Sequence, residues 1–214
     1  MSDITFVIFD MDDVLYDFDH DFRLRALATL TGRDPADIDR DVWGGPHENL
    51  AEAGNPATAE AYLDQFQALL GYPIDEATWT DIRRRMKTPR PGVLDMARAL
   101  KGRVELALLT NNGMLLKKAL PGCAPEVIEI FAEKAHVSAE FGARKPDPEV
   151  FRRICARYGH RPEASAFVDD RQENIEGARA CGLSAHLYRD EAGLRAYLTD
   201  LGLLPGSHQQ DDLK

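Results

Sequence analysis

The sequence predicts an α/β fold, a doubly wound, Rossmann-like parallel sheet with an inserted all-helical domain. Short apolar runs without polar alternation recur along the chain, as is typical of strands buried on both faces. From Gly92 onward these runs alternate with helical patterns, which implies parallel strands joined by right-handed crossovers. Between Asp19 and Thr88 no stretch is predicted to be a strand, so the helices there are predicted to form an insert.

The first strand is predicted at the apolar run Phe6 to Phe9, which ends in a cluster of carboxylates that begins at Asp10. Ligands of open parallel sheets bind beyond the carboxyl ends of the strands, so Asp10 and Asp12 fall where chemistry is expected. Carboxylates this close repel one another unless a cation or a proton offsets their charge. A polar turn without function is the alternative interpretation of this stretch alone.

The insert is predicted to contain four helices bounded by a hinge at each end. They are expected at about 21–31, 35–41, 56–70 and 75–87. In the last of them, Trp79, Ile82 and Met86 are predicted to face inward, and the run Arg83 to Arg85 to be a solvated face. We therefore predict a catalytic core of residues 1–18 and 89–204, a helical cap of residues 19–88 and a disordered tail of residues 205–214.

The second half of the chain is predicted to complete the sheet. Strands are expected at 104–109, near 135–138, at 164–168 and at 184–188, and helices at 93–101, 114–120, 125–132, 148–158, 173–181 and 191–201. This alternation of strands and helices is the order that a doubly wound sheet requires.

Polar side chains suited to chemistry follow four of the predicted strands. They are Asp10, Asp12 and Asp13 after the first, Thr110, Asn111 and Asn112 after the second, Arg144 and Lys145 after the third, and Asp169, Asp170 and Arg171 after the fourth. The fold brings these strand ends to one edge of the sheet. Carboxylate oxygens suit Mg²⁺, while a hydroxyl, amides and a lysine suit phosphate oxygens. The set therefore predicts phosphoryl transfer.

Composition and charge restrict the partners. The formal net charge of −10 disfavours nucleic acid and anionic membranes, because both require a basic surface. The three cysteines lack metal-ligand spacing and predict free thiols in a reducing cytoplasm. The N-terminus lacks the basic start and long apolar stretch of a signal peptide, so we expect a cytoplasmic protein. The expected partner is a small phosphorylated metabolite, and the oligomeric state is left open between monomer and homodimer.

Four motifs, FDMDDVLYD, LLTNN, RKPDPEVF and FVDDRQENIEGA, stand in this order along the chain. In these motifs the sequence resembles the haloacid dehalogenase superfamily, specifically the subfamily I phosphatases with a helical C1-type cap inserted just after the first strand. The resemblance extends to about Leu204. It implies a Mg²⁺-dependent phosphatase that hydrolyses a small phosphomonoester, such as a sugar phosphate, through an aspartyl-phosphate intermediate.

The resemblance also implies a role for each matching residue. Asp10 is implied as the nucleophile, and Asp12 as the acid that protonates the leaving oxygen and then the base that activates water. Thr110 and the backbone amide of Asn111 are implied to bind the transferring phosphoryl group. Lys145 is implied to neutralise charge on both Asp10 and the phosphate.

The metal is implied to bind the carboxylate of Asp10, the backbone carbonyl of Asp12 and Asp170, with Asp169 bound directly or through water. The segment from Val14 to His20 is implied to be a flap that moves with the cap. The sequence departs from the family at Asp13, where glycine is usual. The conformation of the flap and the range of substrates are the two properties that this departure leaves open.

Other functions are compatible with parts of this pattern. A phosphomutase would use the same phospho-aspartate, and a non-catalytic phospho-aspartate signalling or binding protein would use the same groups. A dehalogenase is disfavoured, because those relatives lack the second aspartate and the metal cluster supplied here by Asp12, Asp169 and Asp170. A calcium loop is excluded by Leu15 at the position that requires glycine, and no phosphate-binding P-loop motif occurs.

Several further residues are left between two interpretations. The insert residues His20, Trp43, His47, Glu48 and Trp79 would either face the substrate or pack within the insert or lie on its surface. The residues Arg171, Glu173 and Asn174 are interpreted as helix-start residues with structural roles. The sequence does not identify the phosphomonoester.

Overall fold

A computed structural model describes residues 4–205, and its central feature is a five-stranded parallel sheet. The strands are β1 (Phe6–Phe9), β2 (Tyr16–Phe18), β3 (Lys87–Pro89), β4 (Glu105–Thr110), β5 (Ala135–Val137), β6 (Ser165–Asp169) and β7 (Ser184–Leu187). The order in the sheet is β5-β4-β1-β6-β7, and β2 and β3 form a separate pair. The predicted α/β class and parallel sheet are confirmed.

Eleven α-helices connect and cover these strands in the described part of the chain. They are α1 (His20–Thr31), α2 (Pro35–Val42), α3 (His47–Glu52), α4 (Ala59–Leu70), α5 (Glu76–Arg85), α6 (Pro91–Leu100), α7 (Met114–Cys123), α8 (Pro125–Phe131), α9 (Pro148–Arg157), α10 (Gln172–Ala180) and α11 (Glu191–Asp200). The predicted helix that ended before Pro121 continues through it to Cys123. Within residues 4–205, no helix is both long and apolar enough to cross a membrane.

Strand β1 occupies the centre of the sheet because its side chains are apolar on both faces. Phe6 and Ile8 pack into one buried cluster, and Val7 and Phe9 pack into the other. Phe9 lies opposite Leu108 of β4 and Val168 of β6, so the ends of all three strands reach the same edge of the sheet. The uninterrupted apolar sequence of β1 is therefore explained by burial of the strand on both faces of the sheet.

Helices α1 to α5 follow one another without an intervening strand, as the sequence predicts. Asp19, Asp34, Thr58 and Asp75 each accept a hydrogen bond from a backbone N–H of the first turn of α1, α2, α4 and α5, respectively. Helix α3 was not predicted, because glycine and proline residues leave it only six residues long. We call residues 19–86 the helical insert.

Neither β2 nor β3 was predicted, and β3 begins at Lys87, inside the span from Asp19 to Thr88 where the sequence predicts no strand. They pair antiparallel, with Tyr16 opposite Pro89 and Phe18 opposite Lys87, and the chain enters and leaves the helical insert through this ribbon. Three-residue strands with distant partners leave no local periodicity that could reveal them. The boundaries of a core and a cap stay a prediction, and the predicted disordered tail lies outside the described residues except for Pro205.

The helical insert packs on the sheet domain over a broad surface. Helices α4 and α5 contact α7, and the apolar side chains of the insert join the same buried cluster as those of the sheet. Helix α3 adds polar contacts, because Ser138 Oγ donates to the carbonyl of Glu52 at 2.7 Å and Arg144 pairs with the Glu52 carboxylate. The insert therefore lies directly over the edge of the sheet where β1, β4 and β6 end.

Candidate active site

Asp10 follows β1 at the carboxyl edge of the sheet and is buried there. Its backbone N–H donates to the carbonyl of Val168 at 2.9 Å, which continues the pairing with β6. Lys145 Nζ lies 2.7 Å from an oxygen of Asp10 and 2.7 Å from an oxygen of Asp169. One buried ammonium group therefore joins the ends of β1 and β6.

Two contacts hold the loop that carries Lys145. The Asn111 side chain donates to the carbonyl of Lys145 at 2.8 Å and accepts from its N–H at 2.9 Å. On the other side, Gly177 of α10 lies so close that a Cβ built on it would be 2.0 Å from the carbonyl oxygen of Pro146. The loop therefore fits tightly between β4 and α10.

Asp169 is fully buried and surrounded by donors. Asn174 Nδ2 lies 2.9 and 3.0 Å from its two oxygens, and the N–H of Arg171 donates to it at 2.9 Å. These contacts come in addition to Lys145, so the carboxylate is held in one orientation. Asn174 thus orients the Asp169 carboxylate.

The carboxylates of Asp10, Asp169 and Asp170 form a cluster in which one oxygen of each lies within 4.8 Å of the others. Burial raises the pKa of Asp10 to about 8, with Asp169 and Asp12 adding to the rise and Lys145 opposing it. Burial and Asp169 also raise the pKa of Asp170. The ionised form of Asp10 is thus disfavoured in this arrangement, and an additional cation would stabilise it.

This donor set fits a hard divalent cation such as Mg²⁺. All three side chains offer oxygen, and Mg²⁺ binds proteins through one or two carboxylates together with water and substrate oxygens. Asp170 is half-buried, whereas Asp169 is already saturated with hydrogen bonds. Among the three, Asp10 and Asp170 are therefore the better placed to bind a metal directly.

Thr110 ends β4, the strand beside β1, and its side chain is buried. Asn112 Nδ2 donates to Thr110 Oγ1 at 3.0 Å, and the N–H of Asn112 donates to Ser138 Oγ at 3.2 Å. The hydroxyl of Thr110 and the turn that follows it thus lie at the same sheet edge as Asp10. This turn connects the strand ends to the helical insert, because Arg83 Nη2 donates to Asn112 Oδ1 at 3.2 Å.

Asp12 faces cations that come from the helical insert and from β3. Lys87 pairs with one of its oxygens, and Arg83 Nη2 lies 3.7 Å from the other. Burial alone raises the pKa of Asp12, but the positive charges of Lys87, Arg83 and Arg23 outweigh burial and hold the pKa below its usual value. Asp12 is therefore ionised in this arrangement.

The position of Arg83 overturns the prediction that the run of three arginines in α5 is a solvated face. Only 3 % of Arg83 is exposed, while Arg84 and Arg85 are paired with Asp81 at the surface. Arg83 comes four residues after Trp79, and this helical spacing places both on the inward face. The spacing was available in the sequence, whereas the pairing of Lys87 with Asp12 carried no local signal.

Asp13 takes the left-handed backbone conformation, with φ of 59°. Glycine adopts this conformation without steric cost, and aspartate is among the few other residues that tolerate it. Arg90 also bonds to the carbonyl of Asp13 and pairs with Asp17. The departure from the glycine that is usual in related sequences thus leaves the turn in the conformation that glycine would take.

The structure therefore brings the predicted site residues to one edge. Asp10, Lys145, Asp169 and Asp170 lie together, and Asn111 holds the Lys145 backbone. Asn112 links Thr110 to Asp12, because it bonds to Thr110 and accepts from Arg83, which lies beside Asp12. Of the insert residues left open by the sequence, Trp43 and Trp79 pack in or against the hydrophobic core, and His20 bonds to Arg23 and Asp39.

Comparison with known sequences identifies the family. A model of the haloacid dehalogenase-like hydrolases matches residues 4–182. Phosphatase MT3486 of Mycobacterium tuberculosis is 27 % identical over 208 residues, covering 86 % of this chain and 87 % of the relative. A phosphoserine phosphatase of Thermus thermophilus is 31 % identical over 182 residues, covering 77 % of this chain and 59 % of the relative.

Solved structures share the fold. A HAD-like family hydrolase from Porphyromonas gingivalis aligns with a TM-score of 0.74 at 21 % identity, over 92 % of this chain and 97 % of the other. A HAD family enzyme from Bacteroides thetaiotaomicron, solved with magnesium and inorganic phosphate, aligns with a TM-score of 0.73 at 20 % identity, over 87 % and 94 %. The superfamily predicted from the four motifs is confirmed: the chain belongs to the haloacid dehalogenase-like hydrolases and is an enzyme of that family.

Proposed function

We propose that the protein is a Mg²⁺-dependent phosphatase that hydrolyses a small phosphomonoester through an aspartyl-phosphate on Asp10. The observation that carries this proposal is the buried Lys145, which bridges Asp10 and Asp169 beside Asp170 at the carboxyl edge of the sheet. Relatives named as phosphatases of phosphoserine, D-ribitol 5-phosphate and glyceraldehyde 3-phosphate support the reaction and the size of the substrate.

The chain's own residues divide the reaction into two steps. A carboxylate oxygen of Asp10 attacks phosphorus, and the bond from phosphorus to the ester oxygen breaks while Asp12 gives that oxygen a proton. Asp12 then takes a proton from water, whose oxygen attacks the same phosphorus and releases Asp10 and inorganic phosphate. Lys145, Thr110 and the backbone N–H of Asn111 stabilise the charge on the phosphoryl oxygens.

Asp10, Asp170 and the backbone carbonyl of Asp12 would hold the Mg²⁺, with Asp169 directly or through water. When bound, this cation would neutralise the charge between the carboxylates and the phosphoryl group. Asp12 is ionised while it pairs with Lys87, which is the state that accepts a proton from water. Its role as an acid in the first step requires that this pairing change when substrate binds beneath the helical insert, which would act as a cap.

The nucleophile is tested by phosphate release from a generic aryl phosphate. Turnover should require Mg²⁺ and disappear in Asp10→Asn, and Asp12→Asn should slow it by roughly two to four orders of magnitude. Asp64→Asn, on the exposed face of α4, is the matched control and should behave as the wild type. Turnover without metal, or full activity of Asp10→Asn, would show that the mechanism is wrong. Transfer of phosphate to a sugar in place of its release would identify a mutase.

Metal binding is tested separately by thermal melting. At a concentration of Mg²⁺ about 100 times the dissociation constant, the native state should gain about 2.7 kcal/mol, which raises Tm by roughly 5 to 10 °C. Asp170→Asn should remove most of this rise, whereas Asp64→Asn should keep it. An equal rise in wild type and Asp170→Asn would contradict the proposed ligand set.

A further inference from the structure

Three cations surround Asp12 on the side away from the sheet. Arg23 comes from α1, Arg83 from α5 and Lys87 from β3, and all three act on the charge of Asp12. Lys87 pairs with Asp12 directly, whereas Arg83 approaches it only to 3.7 Å. We call Arg23 and Arg83 the arginine pair.

Both members of the arginine pair are incompletely bonded. Arg83 is almost fully buried and donates to Asn112 at 3.2 Å, while its other terminal nitrogen meets only the sulfur of Met86 at 3.8 Å. The Nε of Arg83 and the Nε of Arg23 are buried without a hydrogen-bond partner. Within residues 4–205, no carboxylate accepts a hydrogen bond from either guanidinium.

Arg23 is surrounded mainly by an aromatic ring and a histidine, which position its guanidinium but add little negative charge. Its guanidinium lies 3.8 Å from the centre of the Trp43 ring and donates to His20 Nδ1 at 2.6 Å. Because a guanidinium can only donate, His20 Nδ1 accepts from Arg23, and the other ring nitrogen lies 2.9 Å from an oxygen of Asp39. His20 therefore orients Arg23 without neutralising it.

Glu48 raises the pKa of Arg23 more than Asp12 does, but among the described residues it accepts no hydrogen bond from Arg23. One of its oxygens accepts from the Tyr62 hydroxyl at 2.8 Å, and no ion pair of 4 Å or less joins Glu48 to Arg23. Burial and the like charge of Arg83 lower the pKa of Arg23 to about 9, although Glu48 and Asp12 act against this. Arg83 is buried and Arg23 is partly buried, and buried donors left open on two neighbouring guanidiniums are costly unless an anion joins them.

We propose that Arg23 and Arg83 bind a second anionic group of the substrate, a carboxylate that lies two or three bonds from the phosphoester oxygen. This proposal rests on the proposed phosphatase function and names the substrate class. Asp12 meets the ester oxygen in the first step, and Arg83 lies 3.7 Å from Asp12, so a group held by Arg83 is only a few ångström from that oxygen. A carboxylate on the adjacent carbon spans this distance and offers two oxygens to two guanidiniums.

The test compares substrates that differ only in this group. 2-Phosphoglycolate and ethyl phosphate share the phosphate and the first carbon, and one carries a carboxylate where the other carries a methyl group. The wild type should hydrolyse 2-phosphoglycolate with a kcat/KM roughly 10- to 100-fold higher, the worth of a hydrogen bond to a charged group. Arg83→Gln and Arg23→Gln should each reduce this ratio at least about tenfold.

Arg84→Gln provides the matched control, because Arg84 follows Arg83 in α5 but pairs with Asp81 at the surface. It should keep the wild-type ratio. Equal efficiency of the wild type on the two substrates would overturn the proposal, and that comparison needs no variant to fold. An equal loss on both substrates in Arg83→Gln would also overturn it, because Arg83 would then serve the transferring phosphate.

Two further measurements separate the remaining outcomes. Ethylene glycol bisphosphate carries, in place of the carboxylate, a second phosphate two bonds farther from the ester oxygen, and a preference for it over 2-phosphoglycolate would overturn the choice of a carboxylate. If no compound is hydrolysed, the phosphatase function fails, but the anion site is still tested by calorimetry with Asp10→Asn in Mg²⁺. Tighter binding of 2-phosphoglycolate than of ethyl phosphate, lost on adding Arg83→Gln, would support the site, and equal binding would overturn it.

Discussion

The two sides of the active site satisfy their charges in different ways. On the side of the sheet, Lys145 bridges two carboxylates, and Asp169 accepts hydrogen bonds from Asn174, Arg171 and Lys145. On the side of the helical insert, Arg23 and Arg83 keep buried donors that no described residue accepts from. Hydrogen bonds from within the chain hold the carboxylates of the first side, whereas buried donors of the second side have no acceptor among residues 4–205.

This difference indicates that one side carries out the reaction on any phosphomonoester and the other side discriminates between substrates. Groups held by fixed partners are preorganised and act in the same way on every phosphomonoester. Cations without partners gain most from a ligand that supplies the missing acceptors, so they discriminate between substrates that differ away from phosphorus. The sheet side should therefore set whether the reaction occurs, and the insert side should set which substrate reacts.

The largest effect should come from removing the cation that holds the sheet side together. Lys145→Met leaves the carboxylates of Asp10 and Asp169 buried without their partner, which should reduce the free energy of unfolding by about 3 to 5 kcal/mol. It should also abolish measurable turnover of every substrate. Urea titration checks the first effect, with Lys134→Met as control, since its half-exposed pair with Glu105 is worth less than about 1 kcal/mol. An equal loss of unfolding free energy in Lys145→Met and Lys134→Met would show that the bridge made by Lys145 is worth no more than a surface ion pair.

A smaller effect should follow from crowding the loop that carries Lys145. The Cβ added by Gly177→Ala would meet the carbonyl of Pro146, a backbone atom that cannot rotate away, so unfolding should become easier by about 3 kcal/mol. Activity should fall for 2-phosphoglycolate and ethyl phosphate alike, because the shared chemistry is displaced. Gly193→Ala in α11 meets only side-chain atoms at 3.3 Å or more and should stay within about 1 kcal/mol of the wild type. A selective loss on one substrate would contradict the division of roles.

The ion pair of Glu52 in the helical insert with Arg144 on the sheet side should make the stability of the protein depend on pH. Burial raises the pKa of Glu52 to about 7 against the opposing charge of Arg144, so the folded state disfavours its ionisation. The stability of the wild type should therefore be complete below about pH 4.5 and fall as pH rises through 7. In Glu52→Gln this fall is absent, so its stability relative to the wild type should rise by on the order of 2 kcal/mol from pH 4.5 to 8. Parallel pH curves in urea titrations would contradict this.

The smallest effect is expected at Asp13, where the chain turns from the sheet side towards the ribbon. Because φ is positive there, Asp13→Gly should be more stable than Asp13→Ala by about 1 kcal/mol. Asp17 lies in β2, where φ is not positive, so Asp17→Gly should be less stable than Asp17→Ala. The same order at both positions in urea titrations would show that the conformation of Asp13 costs nothing.

The sheet side of the site could be predicted because its signals are local. The apolar run Phe6 to Phe9 marks a buried strand, and the two strands that flank it end in polar residues, β4 in Thr110 and β6 in Asp169. Parallel pairing then brings these ends together without further information. Only Asp13 needed the structure to explain it, because the sign of φ is not visible in the sequence.

The insert side was predicted less well, for two physical reasons. Lys87 reaches Asp12 through a ribbon whose strands are far apart in the chain, and no local pattern reveals such pairing. Arg83 was assigned to the surface by its charge, although its spacing from Trp79 places it inside. A buried arginine contradicts the usual preference of charged residues for water, and that conflict is itself a sign of function.

The ribbon of β2 and β3 provides two points at which the helical insert can be replaced by another chain in protein engineering. Its two strands are hydrogen-bonded neighbours, so the ends of any chain grafted between Phe18 and Lys87 begin and finish side by side. The entropy of closing such a chain grows only slowly with its length, so grafts of quite different sizes are permitted. A graft at these points keeps Lys87 beside Asp12 and replaces Arg23 and Arg83. The catalytic edge can thus be kept whole while a new selectivity is installed above it.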